Sequence, residues 1–141
     1  MGDYSQGSAV AGAGTKEEEV TPGVYQRPAA RRDLVEHFVY LAENAGLATA
    51  DKFLVNAEES FADLTKQPSM GAPLMLRQPE LAGMRKWRVK EFEKFLIFYL
   101  PRRDSVSIVR VLHAAEDWWR LLGITWDETP ERLLRIPHPR K

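Results

Sequence analysis

Apolar residues recur at helical spacing in two consecutive stretches of the chain. Leu34, Phe38, Leu41 and Ala45 follow one another at steps of four, three and four, with Arg31, Arg32, Glu36 and Glu43 elsewhere on the wheel. This spacing predicts an amphipathic helix, opened by Pro28, whose fixed φ suits a first turn. Asn44-Ala45-Gly46 supplies the stop, and a second apolar series begins at once with Phe53, Ala57, Phe61 and Leu64. Two helices joined by so short a break fold back as an αα-hairpin. The second ends at Gln67-Pro68, because the residue before a proline is pushed out of helical geometry.

After a proline-rich loop, Ser69 to Glu80, the period becomes strand-like. Trp87 and Val89 alternate with Lys86, Arg88 and Lys90, which predicts a half-exposed strand with a basic outer face. Phe95 to Leu100 is apolar at every position and closes at Pro101, as a central strand does. Arg102 to Ser105 forms a hairpin turn, and Val106 to Leu112 returns as a third strand. His113 to Leu122 then reads as a helix stopped by Gly123, and Thr129-Pro130 opens a short terminal helix through Arg135. With a short β-prone piece at Val24 to Arg27, the predicted fold is α+β: an αα-hairpin packed on a three- to four-stranded antiparallel sheet, with a short C-terminal helix.

Composition adds boundaries. A length of 141 residues supports one core, which we place at 24–123, between a leader at 1–23 and an extension at 124–141. The leader has too few large apolar side chains to offset its ordering entropy and is expected to be disordered, either as an acidic interaction tail or as a plain leader. The 20 basic and 20 acidic residues cancel. Four acids against one lysine put −3 on the leader, however, and the remainder carries +3. The absence of cysteine excludes disulfide scaffolds, thiolate metal sites and cysteine nucleophiles, and fits a cytoplasmic location. No apolar run approaches the roughly 20 residues that span a bilayer.

The run Leu81-Ala-Gly-Met-Arg85, Val89, the Tyr99-ending central strand, and Ile108-Val-Arg-Val-Leu-His113 with Asp117 together resemble the ParE family of plasmid stabilisation toxins, within the ParE/RelE superfamily. Upstream, Tyr25 to Leu34 resembles the family's opening strand and Ala-rich first helix, so the likeness runs from about Val24 to Gly123. It implies a small bacterial toxin of a type II toxin-antitoxin operon that inhibits growth by binding and poisoning DNA gyrase, meeting DNA only indirectly. It further implies neutralisation by a cognate ParD-like antitoxin with a ribbon-helix-helix and a C-terminal segment, no cofactor and no membrane partner. A RelE-type member would instead cleave mRNA on the ribosome, and a degenerate one would act only in operon autoregulation with its antitoxin.

Metal-free RNA cleavage needs a base, an acid and cations for the phosphorane. Where RelE-like sequences place arginine on the central strand this chain has Leu96, and where even ParE members usually carry arginine after the third strand it has Glu116. Tyr99, Arg110 and His113 are the runner-up catalytic candidates. Strict alternation groups His113 with Val109 and Val111, opposite Arg110, so His113 is either catalytic or a packed, capping histidine. Tyr99 in its apolar strand reads as core. His37 and His138 have no partners at ligand spacing, so no metal site is expected. The expectation is an inhibitory binding protein, not an enzyme.

Binding needs a complementary surface. Nine basic residues against four acids give +5 between Arg77 and Arg110, either a basic face for an acidic partner or ordinary decoration of a one-sided sheet. Arg85, Lys86 and Arg88 are the residues named for it. Trp118 and Trp119 point about 100° apart on a helix, so either one is core and the other a partner anchor, or both lie under the extension from Ile124 to Ile136.

Overall fold

The computed structural model describes residues 17–76 and 79–122. Two short strands, β1 (Glu18–Thr21) and β2 (Val24–Gln26), precede the helices α1 (Pro28–Ala45) and α2 (Leu47–Lys66). There follow β3 (Ala72–Pro73), a single 3-10 turn (Pro79–Leu81), β4 (Arg85–Val89), β5 (Phe92–Pro101), β6 (Val106–His113) and the one-turn helix α3 (Trp118–Leu121).

The helical hairpin forms where the periodicity places it. Gly46 alone separates α1 from α2, at φ 100, a conformation that a β-carbon disfavours. Phe53, Ala57, Phe61 and Leu64 are all fully buried against the sheet, together with Leu34 and Leu41 of α1. Ala45, expected on the same stripe, is exposed at the helix end.

The sheet has six strands in the order β1-β2-β6-β5-β4-β3, not the expected three or four. β2 runs parallel to β6 and every other pair is antiparallel. The two extra strands lie at the edges. β3 is a dipeptide inside the proline-rich loop, opposite Lys86 and Arg85. β1 falls within the stretch expected to be a disordered leader, and there Glu18 to Thr21 pairs with β2.

The sheet is also covered on both sides. On the helix side lie Val24, Ile97, Tyr99, Ile108 and Val111. On the other, Leu74, Leu81, Met84, Phe98, Val109, Leu112 and Trp118 form a second apolar cluster. This is why β5 is apolar at alternate positions of both kinds. A β-bulge corrects the predicted facing of β6: Phe98 pairs with Arg110 while Tyr99 pairs with Ile108, so Val109 is an extra residue. Val109 consequently joins the second cluster and Val111 the first, whereas strict alternation had put both on one face.

The predicted helix from His113 to Leu122 is shortened to α3. The ladder continues through Phe95 opposite His113, the Ala114 N–H donates to the Lys94 carbonyl at 2.7 Å, and the Glu116 N–H closes a turn on the His113 carbonyl at 2.9 Å, so strand and turn occupy the residues before α3. The terminal helix expected at 130–135 and the extension over the tryptophans lie outside the described residues.

Candidate partner-binding surface

The three acid-base candidates are each engaged by a different part of the fold. The Tyr99 side chain is fully buried on the helix side of the sheet. Its hydroxyl donates to the Pro68 carbonyl at 2.6 Å and accepts from the Gly71 N–H at 2.9 Å, so it fastens the loop after α2. Burial is the main influence on the phenol and raises its pKa, away from the range of a base.

Arg110 faces the second cluster, opposite Phe98, and reaches the start of α1. Its Nε and Nη2 donate to the two carboxylate oxygens of Asp33 at 2.7 and 2.8 Å, and Nη1 to the Leu121 carbonyl at 3.2 Å. Asp33 accepts the Val111 N–H as well, at 2.9 Å. This fork-to-fork pair holds the guanidinium charged, its pKa raised chiefly by the hydrogen bond to Asp33.

His113 packs edge-on against Phe95 at 5.0 Å, among residues of the helix side. Nδ1 accepts from the Ala115 N–H at 3.0 Å, which leaves the proton of the neutral ring on Nε2. Its own backbone N–H donates to Glu116 Oε2 at 3.0 Å. Desolvation lowers the imidazole pKa. Nearby His37 donates from Nε2 to the Val111 carbonyl at 2.7 Å. Tyr99, Arg110 and His113 therefore do not converge on a common point. Among the described residues no group of three or more His, Cys, Asp or Glu could hold a metal ion.

The partner-binding candidates divide as well. Lys86 Nζ sits 5.9 Å from the centre of the Trp118 ring, Trp118 stacks at a tilt on Phe98 at 5.4 Å, and Trp119 meets Trp118 edge-on at 5.5 Å. Lys86, Trp118 and Trp119 thus share the outer face of the sheet. Trp118 is buried and Trp119 half-buried. Burial lowers the Lys86 pKa. Arg88 lies over the Trp87 ring at 4.5 Å. Arg85 points the other way, donating to the Gly71 and Ser69 carbonyls at 2.6 and 3.2 Å.

Two features have no counterpart in the sequence reading. An open cleft of about 340 Å³ has Leu81, Val109 and Leu122 in its lining, with Arg27, Arg32 and Arg110 beside them. At the sheet edge, Glu17 accepts from Arg27, Arg102 and Ser107 at once. The signal for the second was the acidic run before a β-prone piece, read instead as a solvated leader.

A helical hairpin laid on a mainly antiparallel sheet whose first core strand runs parallel to its last is the architecture of the RelE/ParE class. The family model described as "ParE toxin of type II toxin-antitoxin system, parDE" matches residues 24–118. The chain belongs to that family, as the toxin component of a type II toxin-antitoxin system, and toxins of this family act as binding inhibitors, not enzymes. It is similar in fold to a chain of the "Chromosomal ParDE TA system from P. aeruginosa", with a TM-score of 0.51 and 18% identity over 62% of this chain and 90% of that one. No match was found among curated proteins. Among the described residues no helix is long and apolar enough to cross a membrane.

Proposed function

We propose that this toxin arrests growth by binding and poisoning DNA gyrase, and that a cognate ParD-like antitoxin neutralises it. The observation that carries this reading is the dispersal of the acid-base candidates: Tyr99 fastens a loop, Arg110 is locked to Asp33, and His113 is turned to the opposite side of the sheet. Glu116 supports it too, since a carboxylate bonded to the His113 N–H stands where an arginine would stabilise a phosphorane. An inhibitor that traps its target needs only complementary surface, and Lys86 with the half-buried Trp119, both resting on the buried Trp118, supplies cationic and aromatic contacts for it. Purified toxin should convert supercoiled plasmid to linear DNA in the presence of gyrase. Intact plasmid together with cleaved transcripts in a translation extract would overturn the proposal in favour of a ribosome-dependent endoribonuclease.

A further inference from the structure

The first helix carries an apolar stripe that the fold leaves uncovered. α1 buries Ala30, Asp33, Leu34 and Leu41. On its opposite side Val35, Val39 and Tyr40 are 62%, 46% and 58% exposed. At about 100° per residue, Arg32, Val35, Val39 and Glu43 fall within about 80° of arc, and Glu36 and Tyr40 widen that arc to about 140°. Arg32 and Glu43 are exposed as well, and neither makes an ion pair among the described residues. Arg31, by contrast, is paired with Glu18 at 2.9 Å. A stripe with apolar residues at its middle and opposite charges at its two ends becomes its own complement when reversed. Arg32 and Glu43 lie equally far from a point between residues 37 and 38, as do Val35 and Tyr40, and Glu36 and Val39.

We propose that α1 pairs with α1 of a second copy of this chain, antiparallel about a two-fold axis through that point. Such an axis sets Arg32 level with Glu43 of the second copy, Val35 with Tyr40 and Glu36 with Val39, and repeats each contact once. The two ion pairs then stand about 16 Å apart, at about 1.5 Å of rise per residue, with the apolar contacts between them. The occupant follows from sign. A two-fold interface has to be self-complementary, as this face is, whereas one base against two acids offers neither an acidic nor a basic segment a matching charge along its length. One helix face per copy is small for a permanent dimer, so the association is weak and set by concentration. The hairpin covers one side of the sheet while Lys86, Trp118 and Trp119 lie on the other, so pairing leaves that face open on both copies. The dimer is therefore independent of which target the toxin binds.

Sedimentation velocity of the purified full chain, over a micromolar to millimolar series, tests the pairing. Wild type should pass from monomer to dimer as concentration rises. Arg32→Glu and Glu43→Arg each set like charges together at both ends of the interface. Each should weaken dimerisation by about tenfold or more, and the double variant, with the charges exchanged, should return to within about threefold of wild type. Both side chains are exposed, and misfolding cannot imitate recovery in the double variant. A wild type that stays monomeric throughout, single reversals that leave the dimer unchanged, or a double variant no better than the singles would each overturn the proposal. Single reversals that weaken antitoxin binding while dimerisation stays intact would overturn it too, and would assign the face to the antitoxin.

Discussion

Asp33 concentrates more of the fold's polar bonding than any other residue of α1. With its side chain 6% exposed, it receives two bonds from Arg110 and one from the Val111 N–H, tying the first helix to the bulged strand. Asp33→Ala would leave a largely buried guanidinium and a buried amide without acceptors, at a cost of about 3 kcal/mol, read as a lower urea midpoint. Asp33→Asn keeps an oxygen for Val111 and should cost less. His113 yields a pH prediction. The fold binds its proton less tightly than the unfolded chain does, because burial opposes the charge, and Lys94 and His37 add to this while Glu116 opposes it. Stability is therefore complete above the unfolded value of 6.5 and declines as the pH falls below it. His113→Gln should flatten that decline in melts between pH 7 and 5. The bonding of Asp33 was not legible in the sequence, because the residue sits in the second turn of an amphipathic helix, where an acid reads as an ordinary surface charge. Tyr99 was more legible, since an unbroken apolar strand leaves a tyrosine nowhere else to go.

Among the elements, the loop between α2 and β4 depends on one glycine. A β-carbon on Gly71 would lie 2.7 Å from the Lys86 carbonyl and 2.7 Å from the Tyr99 hydroxyl. Gly71→Ala should destabilise the protein, and Tyr99→Phe should not rescue it, because the carbonyl clash remains; thermal melts of the single and double variants decide this. The β4–β5 turn offers the opposite case. Glu91 holds φ 65, which costs a residue with a β-carbon about 1 kcal/mol, and its ion pair with Lys52 is exposed on both sides. Glu91→Gly should thus raise the melting temperature or leave it unchanged. The hairpin and the three central strands were visible because each buries a periodic stripe. β1 and β3 were not, because edge strands of four and two residues are too short to show a period and exist through pairing. The bulge at Val109 was hidden for a related reason: in Ile108-Val109-Arg110-Val111 every alternation is plausible, and only the second apolar cluster selects the extra residue.

Across the whole molecule, the neutral total charge conceals which cations are available to a partner. Several bases of the +5 stretch are satisfied internally: Arg85 by loop carbonyls, Lys90 by Glu59 and Asp63, Arg102 by Glu17 and Arg110 by Asp33. Lys86, Arg88, Lys94 and Arg103 have no carboxylate partner among the described residues. Of these, Lys86 stands beside the buried Trp118 ring, on which the half-buried Trp119 packs, and Arg88 beside the half-buried Trp87. These two are therefore the cations of β4 open to an acidic antitoxin segment, whereas Arg85 holds a loop and its reversal would perturb the fold. Lys86→Glu with Arg88→Glu should weaken antitoxin binding at least tenfold and flatten its dependence on salt, since the attraction lost is the part that ions screen within about 8 Å at physiological ionic strength. Arg103→Glu, in the turn at the far end of the sheet, serves as the charge-matched comparison and should leave affinity within about twofold of wild type, the size of an ordinary rim charge effect. Equal losses from the two sites, measured by titration calorimetry over a salt series, would mean that the antitoxin responds to net charge alone and that the aromatic face gives it no position.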